Sequence, residues 1–210
     1  MIIAIDGPAA SGKGTLGKRL AAHFGLPHLD TGLLYRAVAR TMVDEGTPLT
    51  DEEEAARLAS TVDIDLLDDP RLRGAEMGEA ASVISAYLPV REALLDFQRQ
   101  FAAQPTGAVL DGRDIGTVVC PLADVKLFIT AAPEERARRR HLELLARNEP
   151  AEFTAILDDI RRRDERDLNR SLSPLKAAND AIVLDTTDLD ADATFRAALE
   201  IVETHRRGGP

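Results

Sequence analysis

Residues 7–15 read Gly7-Pro8-Ala9-Ala10-Ser11-Gly12-Lys13-Gly14-Thr15 and follow the apolar run Ile2-Ile3-Ala4-Ile5. A strand that ends in a glycine-rich loop and opens a helix turns successive backbone N–H groups inward, where they hold phosphate oxygens. Lys13 adds a point charge with the reach of β- and γ-phosphates, and the Thr15 hydroxyl is a candidate Mg²⁺ ligand. Leu16, Leu20 and Phe24 then recur every four residues, as one face of a helix does. The chemistry this predicts is the holding of nucleotide phosphates.

Three further groups bear charge where phosphate chemistry needs it. Asp111-Gly112-Arg113-Asp114 follows the apolar run Ala108-Val109-Leu110. In open α/β sheets ligands sit at the carboxyl ends of strands. Asp111 can take Mg²⁺ through water; a turn cap is the other reading for it. Asp30-Thr31-Gly32-Leu33-Leu34-Tyr35-Arg36 follows a second short strand near 27–29, and places Tyr35 and Arg36 in the first turns of a helix. There Arg36 can meet an anion that the helix N-terminus also attracts. Arg163, Asp167 and Arg170 share one helical face, with Arg166 beside it. Arginines on a lid of this kind can neutralise transferring phosphoryl oxygens and exclude water; a salt-bridged solvent face is the alternative.

The elements that must position these residues are legible. Apolar runs at 2–5, 108–110, 125–129 and 181–184 alternate with helical patterns, so the chain reads as α/β: a P-loop NTPase-like parallel sheet flanked by helices. Thr50 with Glu53 predicts a capping box for a helix over about 51–60. Pro89 and Pro133 stand where first helical residues would be. Asp190 reads as the N-cap of a last helix carrying Phe195, Leu199 and Val202. Phe153, Ile156, Leu157 and Ile160 give an amphipathic helix ahead of the lid arginines. Val62, Ile64 and Leu66 alternate, which predicts a short strand before a turn at Asp69-Pro70. Gly208-Gly209-Pro210 reads as a frayed end.

The chain has 210 residues and a formal net charge of −10, with 44% hydrophobic and 30% charged residues. One domain over 1–210 is expected, with about 61–104 as a small insertion and about 146–170 as the lid. The acidic balance argues against a nucleic-acid or membrane partner. Cys120 stands alone and reads as a small buried hydrophobe. A cytoplasmic protein, and a monomer, is expected. Yet 22 of the 26 basic residues are arginine, nine of them within 136–140 and 161–170. Arginine's planar fork suits bidentate phosphate binding. The four histidines show no metal-ligand spacing and are assigned no role.

Together these pieces resemble the bacterial cytidylate kinases, a family of nucleoside monophosphate kinases. The resemblance runs from Ile2 to about Thr204 on the strings IDGPAASGKGT, LDTGLLYRA, AAS (80–82), VREAL, LDGRDIGT, RDERDLNR and LDTT. It implies a parallel-sheet core with a lid and a monophosphate-binding insertion, and transfer of the γ-phosphoryl of ATP to CMP or dCMP with Mg²⁺. It implies that the acceptor phosphate meets Arg36 and Arg113, with lid arginines Arg163, Arg166 and Arg170. Asp167 is expected at the sugar and Tyr35 in the lining of the monophosphate site. Thr31 stands where serine is frequent. Ser82, Arg91 and Asp114 are expected to read cytosine, and other monophosphates (UMP, AMP, GMP) remain the nearest alternatives. A non-catalytic ATP-binding module is the more distant one. Two departures stand out: the stretch before Ala80-Ala81-Ser82 is short, only Val62 to Gly74, and Leu168 replaces a lid arginine.

Overall fold

The computed structural model describes residues 1–149 and 151–207; Pro150 and the tail Gly208-Gly209-Pro210 lie outside the described residues. Five parallel strands form the sheet: β1 (Ile2–Asp6), β2 (His28–Asp30), β3 (Ala108–Gly112), β4 (Val125–Thr130) and β5 (Ile182–Asp185), in the order β2-β3-β1-β4-β5. β1 therefore lies where the strand order reverses, and its carboxyl end opens into the crevice that binds ligands in such sheets. The five runs anticipated from the sequence are these strands, each within two residues.

Helices cover both faces. On one lies α1 (Lys13–Phe24), whose Leu16 and Leu20 are buried with Ile3, Ile5 and Leu127, together with α8 (Ala191–Arg207) through Ala198 and Val202. Each such aliphatic side chain contributes roughly 1.5–3 kcal/mol on burial. Asp190 caps α8, its Oδ1 accepting from Ala193 N at 2.7 Å. On the other face lie α2 (Thr31–Asp44), α3 (Glu52–Ser60), α4 (Ala75–Ile84) and α5 (Leu88–Ala102). Leu34, Val38, Ala55, Met77, Ile84 and Leu94 join Leu29 and Leu110 of the sheet in one apolar cluster. Residues 61–104 thus pack directly on the body of the domain. A smaller cluster joins α6 (Pro133–Ala146) to α7 (Phe153–Asn169) through Ala137, Leu144, Ile156 and Ile160.

Three local expectations are corrected. Residues 62–66 form no strand: Ile64–Asp68 and Pro70–Arg73 are 3₁₀ turns, opened by Asp63 and Asp69, whose carboxylates accept from the N–H of Asp65 and Arg71. A side chain that captures the backbone two residues on offers an alternative to a ladder. The cap of α3 is Asp51, one residue after Thr50, with Oδ1 accepting from Glu54 N at 3.0 Å. Pro133 is the first residue of α6 as expected, but Pro89 is the second residue of α5, after Leu88.

Candidate active site

The phosphate loop joins β1 to α1, and its backbone is unusual in the way the motif requires. Gly7 has φ +156°, and a Cβ there would lie 2.1 Å from Ile129 O; Gly12 has φ +87° at the N-cap of α1. Ala10 also holds a positive φ of 58°. Non-glycine residues in that region mark strain kept at functional sites. Ser11 Oγ is buried without a hydrogen-bond partner among the described residues. Arg136 of α6, buried, bridges the loop to α7: it donates to Ala9 O at 3.0 Å and to Asp164 Oδ1 at 3.0 Å. No sequence signal singled out Arg136 from its neighbours.

Lys13 donates to Pro8 O at 3.1 Å. Burial and then the Arg113 charge push its ammonium down to about 7. Of the basic residues expected at the site, Arg113 acts on it directly. Burial pulls Arg36, Arg163 and Arg170 below their ordinary values, and the next cause in each case is another arginine: Arg163, Arg113 and Arg91 respectively. Arg163 Nε and Arg170 Nη2 are buried without hydrogen-bond partners among the described residues. Buried cations disfavoured by a neighbouring cation are stabilised when an anion joins them. Gly78 of α4 lets two of them meet, since a Cβ there would lie 3.1 Å from both Arg36 and Arg163. Arg36 is braced by the 3₁₀ segment, donating to Leu72 O at 2.7 Å and Gly74 O at 3.2 Å.

The acidic residues split into three places. Asp30 and Asp111 are register partners on β2 and β3. Burial, then Asp111, raises the Asp30 carboxyl, with Lys13 opposing. Asp111 Oδ1 pairs with His28 Nε2 at 2.7 Å, and the Asp111 backbone carbonyl accepts from Thr31 Oγ1 at 2.9 Å. His28, assigned no role from the sequence, therefore belongs to the site. Asp30 caps α2 through Gly32 N at 3.0 Å. Asp167 accepts from Arg113 Nε at 2.7 Å. Burial alone would lower Arg113, but Asp167 raises it, and the same pairing overcomes burial to hold Asp167 below the usual carboxylate range. Asp114 pairs with Arg91 Nη2, and both are buried. Tyr35 is buried, its ring centroid 5.8 Å from the Arg91 guanidinium.

α7, the helix expected to form the lid, lies against α4. Arg166 donates to Ser82 Oγ at 2.9 Å and to Glu79 Oε1 at 2.6 Å. Its partners are thus on another helix rather than on neighbouring lid acids. Of the two residues expected to share Mg²⁺, Asp111 is buried and Thr15 is not. Thr15 is exposed and lines a cleft of about 490 Å³ with Arg19, Arg138, Arg139, Leu189 and Thr194. The inserted Gly14 instead faces the carboxylates: a Cβ there would lie 3.8 Å from Asp111 Oδ2 and 3.9 Å from Asp30 Oδ2.

A parallel sheet with a phosphate loop and a second, facing set of buried arginines defines a P-loop kinase of the nucleoside monophosphate class. The chain belongs to the cytidylate kinase family: the family model Cytidylate kinase matches residues 3–204. Curated relatives named cytidylate kinase include those of Rhodopseudomonas palustris (strain BisB5), 62% identical over 99% of this chain and 98% of that protein. The protein of Methylocella silvestris is 61% identical over 97% of this chain and 94% of its own length. The crystal structure of an uncharacterized protein from Eubacterium ventriosum ATCC 27560 shares the fold, with a TM-score of 0.58 at 17% identity over 97% of this chain and 98% of that one.

Proposed function

We propose that the protein transfers the γ-phosphoryl group of ATP to CMP or dCMP, giving ADP and CDP or dCDP. The observation that carries the reading is a set of cations, Lys13, Arg36, Arg163 and Arg170, each disfavoured by burial and then by a neighbouring arginine, with Arg36 and Arg163 meeting at Gly78 of α4. One anion site serves a switch, whereas transfer needs two facing each other. Membership of the cytidylate kinase family supports the same reaction.

The residues divide the work as follows. Backbone amides of 7–15 and Lys13 hold the donor phosphates. The cleft beside Thr15, Arg19 and Arg139 takes the donor nucleoside. Arg36 and Arg113 meet the acceptor phosphate, and Arg163, Arg166 and Arg170 of the lid close on the transferring group. Asp167 reaches the sugar, and Ser82, Arg91 and Asp114 read the base beside Tyr35 and Thr31. Positioning and charge neutralisation supply most of the acceleration in such a transfer, and no acid–base group is required. Asp111, with Asp30 beside it behind Gly14, would hold Mg²⁺, which would supply charge neutralisation at the donor phosphates. Among the described residues no group of three or more His, Cys, Asp or Glu is placed to hold a metal ion. The acidic charge and the unpaired Cys120 support a cytoplasmic setting, and we take the protein to act as a monomer. Among the described residues no helix is long and apolar enough to cross a membrane.

The test is ADP release with CMP, dCMP, UMP, AMP and GMP in turn, each with and without EDTA. CMP- and dCMP-stimulated release that EDTA abolishes is expected. Folded protein with no monophosphate-stimulated release would contradict the reading.

A further inference from the structure

Asp6 is the last residue of β1, immediately before the phosphate loop, and it is 4% exposed. It touches neither phosphate site in the scheme above. Its carboxylate reaches across the sheet edge instead. Oδ1 accepts from Ile115 N at 2.7 Å, and Oδ2 accepts from Gly116 N at 2.8 Å. Those amides are the first two of a π-helical turn, Ile115–Val119, that follows directly on Arg113 and Asp114.

The residue at the N-cap position of that turn is Asp114. Aspartate there ordinarily folds its own side chain back onto the next amides and caps them. Asp114 does not: its side chain makes no cap hydrogen bond, and it pairs with Arg91 on α5 instead. A carboxylate cannot satisfy the amides behind it and a partner in front of it equally well. Asp6 has taken the first task, from a position 109 residues away in sequence.

We propose that Asp6 is a positioning residue for base recognition: by capping the Ile115–Val119 turn in place of Asp114, it leaves the Asp114 carboxylate free to face Arg91 and the cytosine. The proposal rests on the reading of Asp114 as a base contact. Because Asp6 stands immediately before the phosphate loop, one buried side chain then ties the donor loop to the acceptor-reading segment. The electrostatics agree with an ionised, fully used carboxylate. Burial pushes Asp6 up to about 6, Asp114 adds to that, and the two amides and Lys13 pull it down. It is therefore charged at neutral pH.

The test is Asp6→Asn, alone and combined with Asp114→Asn, with kcat and KM measured for ATP, CMP and UMP at pH 7.5. An asparagine offers one oxygen to two N–H donors and turns its own NH₂ against the second. Asp114 should then be drawn back toward the turn. The expected result is a rise in KM for CMP on the order of tenfold and a fall in the CMP:UMP ratio of similar size. KM for ATP should stay within about twofold. In the Asp114→Asn background, Asp6→Asn should not lower the ratio further, because both act through the same carboxylate. A ratio unchanged by Asp6→Asn while Asp114→Asn does lower it overturns this proposal and leaves the base reading intact. A ratio unchanged by Asp114→Asn overturns the base reading and with it this proposal. Should Asp6→Asn fail to fold, the Ile115 and Gly116 amide resonances decide in protein that retains Asp6. If Asp6 is the cap, Asp114→Asn leaves both in place; if they shift as cap amides do, Asp114 is the cap and the proposal fails.

Discussion

Asp114→Asn separates recognition of the base from support of the scaffold. Asp114 and Arg91 are buried together, 5% and 9% exposed, and Arg91 also donates to Ser85 O at 3.1 Å. A carboxylate carries about four lone-pair sites, so pairing with Arg91 leaves capacity to accept from the cytosine N4 amino group. Uracil presents an oxygen there, and two acceptors face each other with no hydrogen between them. Each lost contact of this kind costs about 1–3 kcal/mol. At 1.4 kcal/mol per decade that is roughly a 5- to 150-fold preference for CMP over UMP from Asp114 alone. Asparagine keeps one acceptor and adds a donor that suits O4 of uracil, so the preference should shrink by about that factor. Stability should fall too, but modestly. Arg91 keeps a hydrogen bond to a neutral oxygen, so the cost is about 1–3 kcal/mol, less than the 3–5 kcal/mol expected when a buried pair is broken outright. The assay is kcat/KM for CMP and UMP in both proteins, with thermal melts alongside. A melting temperature that drops while the CMP:UMP ratio holds would make Asp114 a structural partner of Arg91 and nothing more.

Lys13→Ala should lower kcat about 100- to 1,000-fold with a smaller change in KM for CMP, since Lys13 meets charge that moves during transfer; steady-state kinetics with ATP and CMP varied in turn decide this. Gly17→Ala should destabilise, although alanine favours a helix by about 1 kcal/mol. Its Cβ would lie 2.7 Å from His28 Nε2 and 3.4 Å from Asp111 Oδ1, and overpacking costs about 1–3 kcal/mol; a raised melting temperature would show that His28 yields without cost. Burial pushes the Cys120 thiol up to about 11, so at pH 8 the folded protein should react with a thiol reagent at least about 100-fold more slowly than the unfolded chain. Hydrogen exchange within 153–170 should slow when CMP and a non-hydrolysable ATP analogue are both present, as the lid arginines gain phosphate partners; unchanged exchange at saturation would count against a lid.

The strands and the phosphate loop were legible because each is a local signal: β-branched runs of period-independent apolarity, then glycines and a lysine at fixed spacing. Helix ends were legible to within a residue or two, and the slip from Thr50 to Asp51 arises because two adjacent side chains can both cap. The stretch 61–75 misled because Val62, Ile64 and Leu66 alternate as a strand does, while Asp63 and Asp69 hold their own backbone in 3₁₀ turns. At the site, residue types pointed to phosphate but not to partners. His28 meets Asp111 across 83 positions, Asp6 meets Ile115 across 109, and Arg136 meets Ala9 across 127. Such pairs follow from strand order, which no short motif records. The approach of Gly14 to the Asp30 and Asp111 carboxylates was also hidden.

The central claim is that one active site joins two nucleotides and moves a phosphoryl group between them. ATP labelled in its γ-phosphate, mixed with CMP, Mg²⁺ and the protein, should yield label in the β-phosphate of CDP, and Arg36→Ala should suppress that product while ATP binding is retained. Label appearing only as inorganic phosphate, with no labelled CDP, would contradict the account.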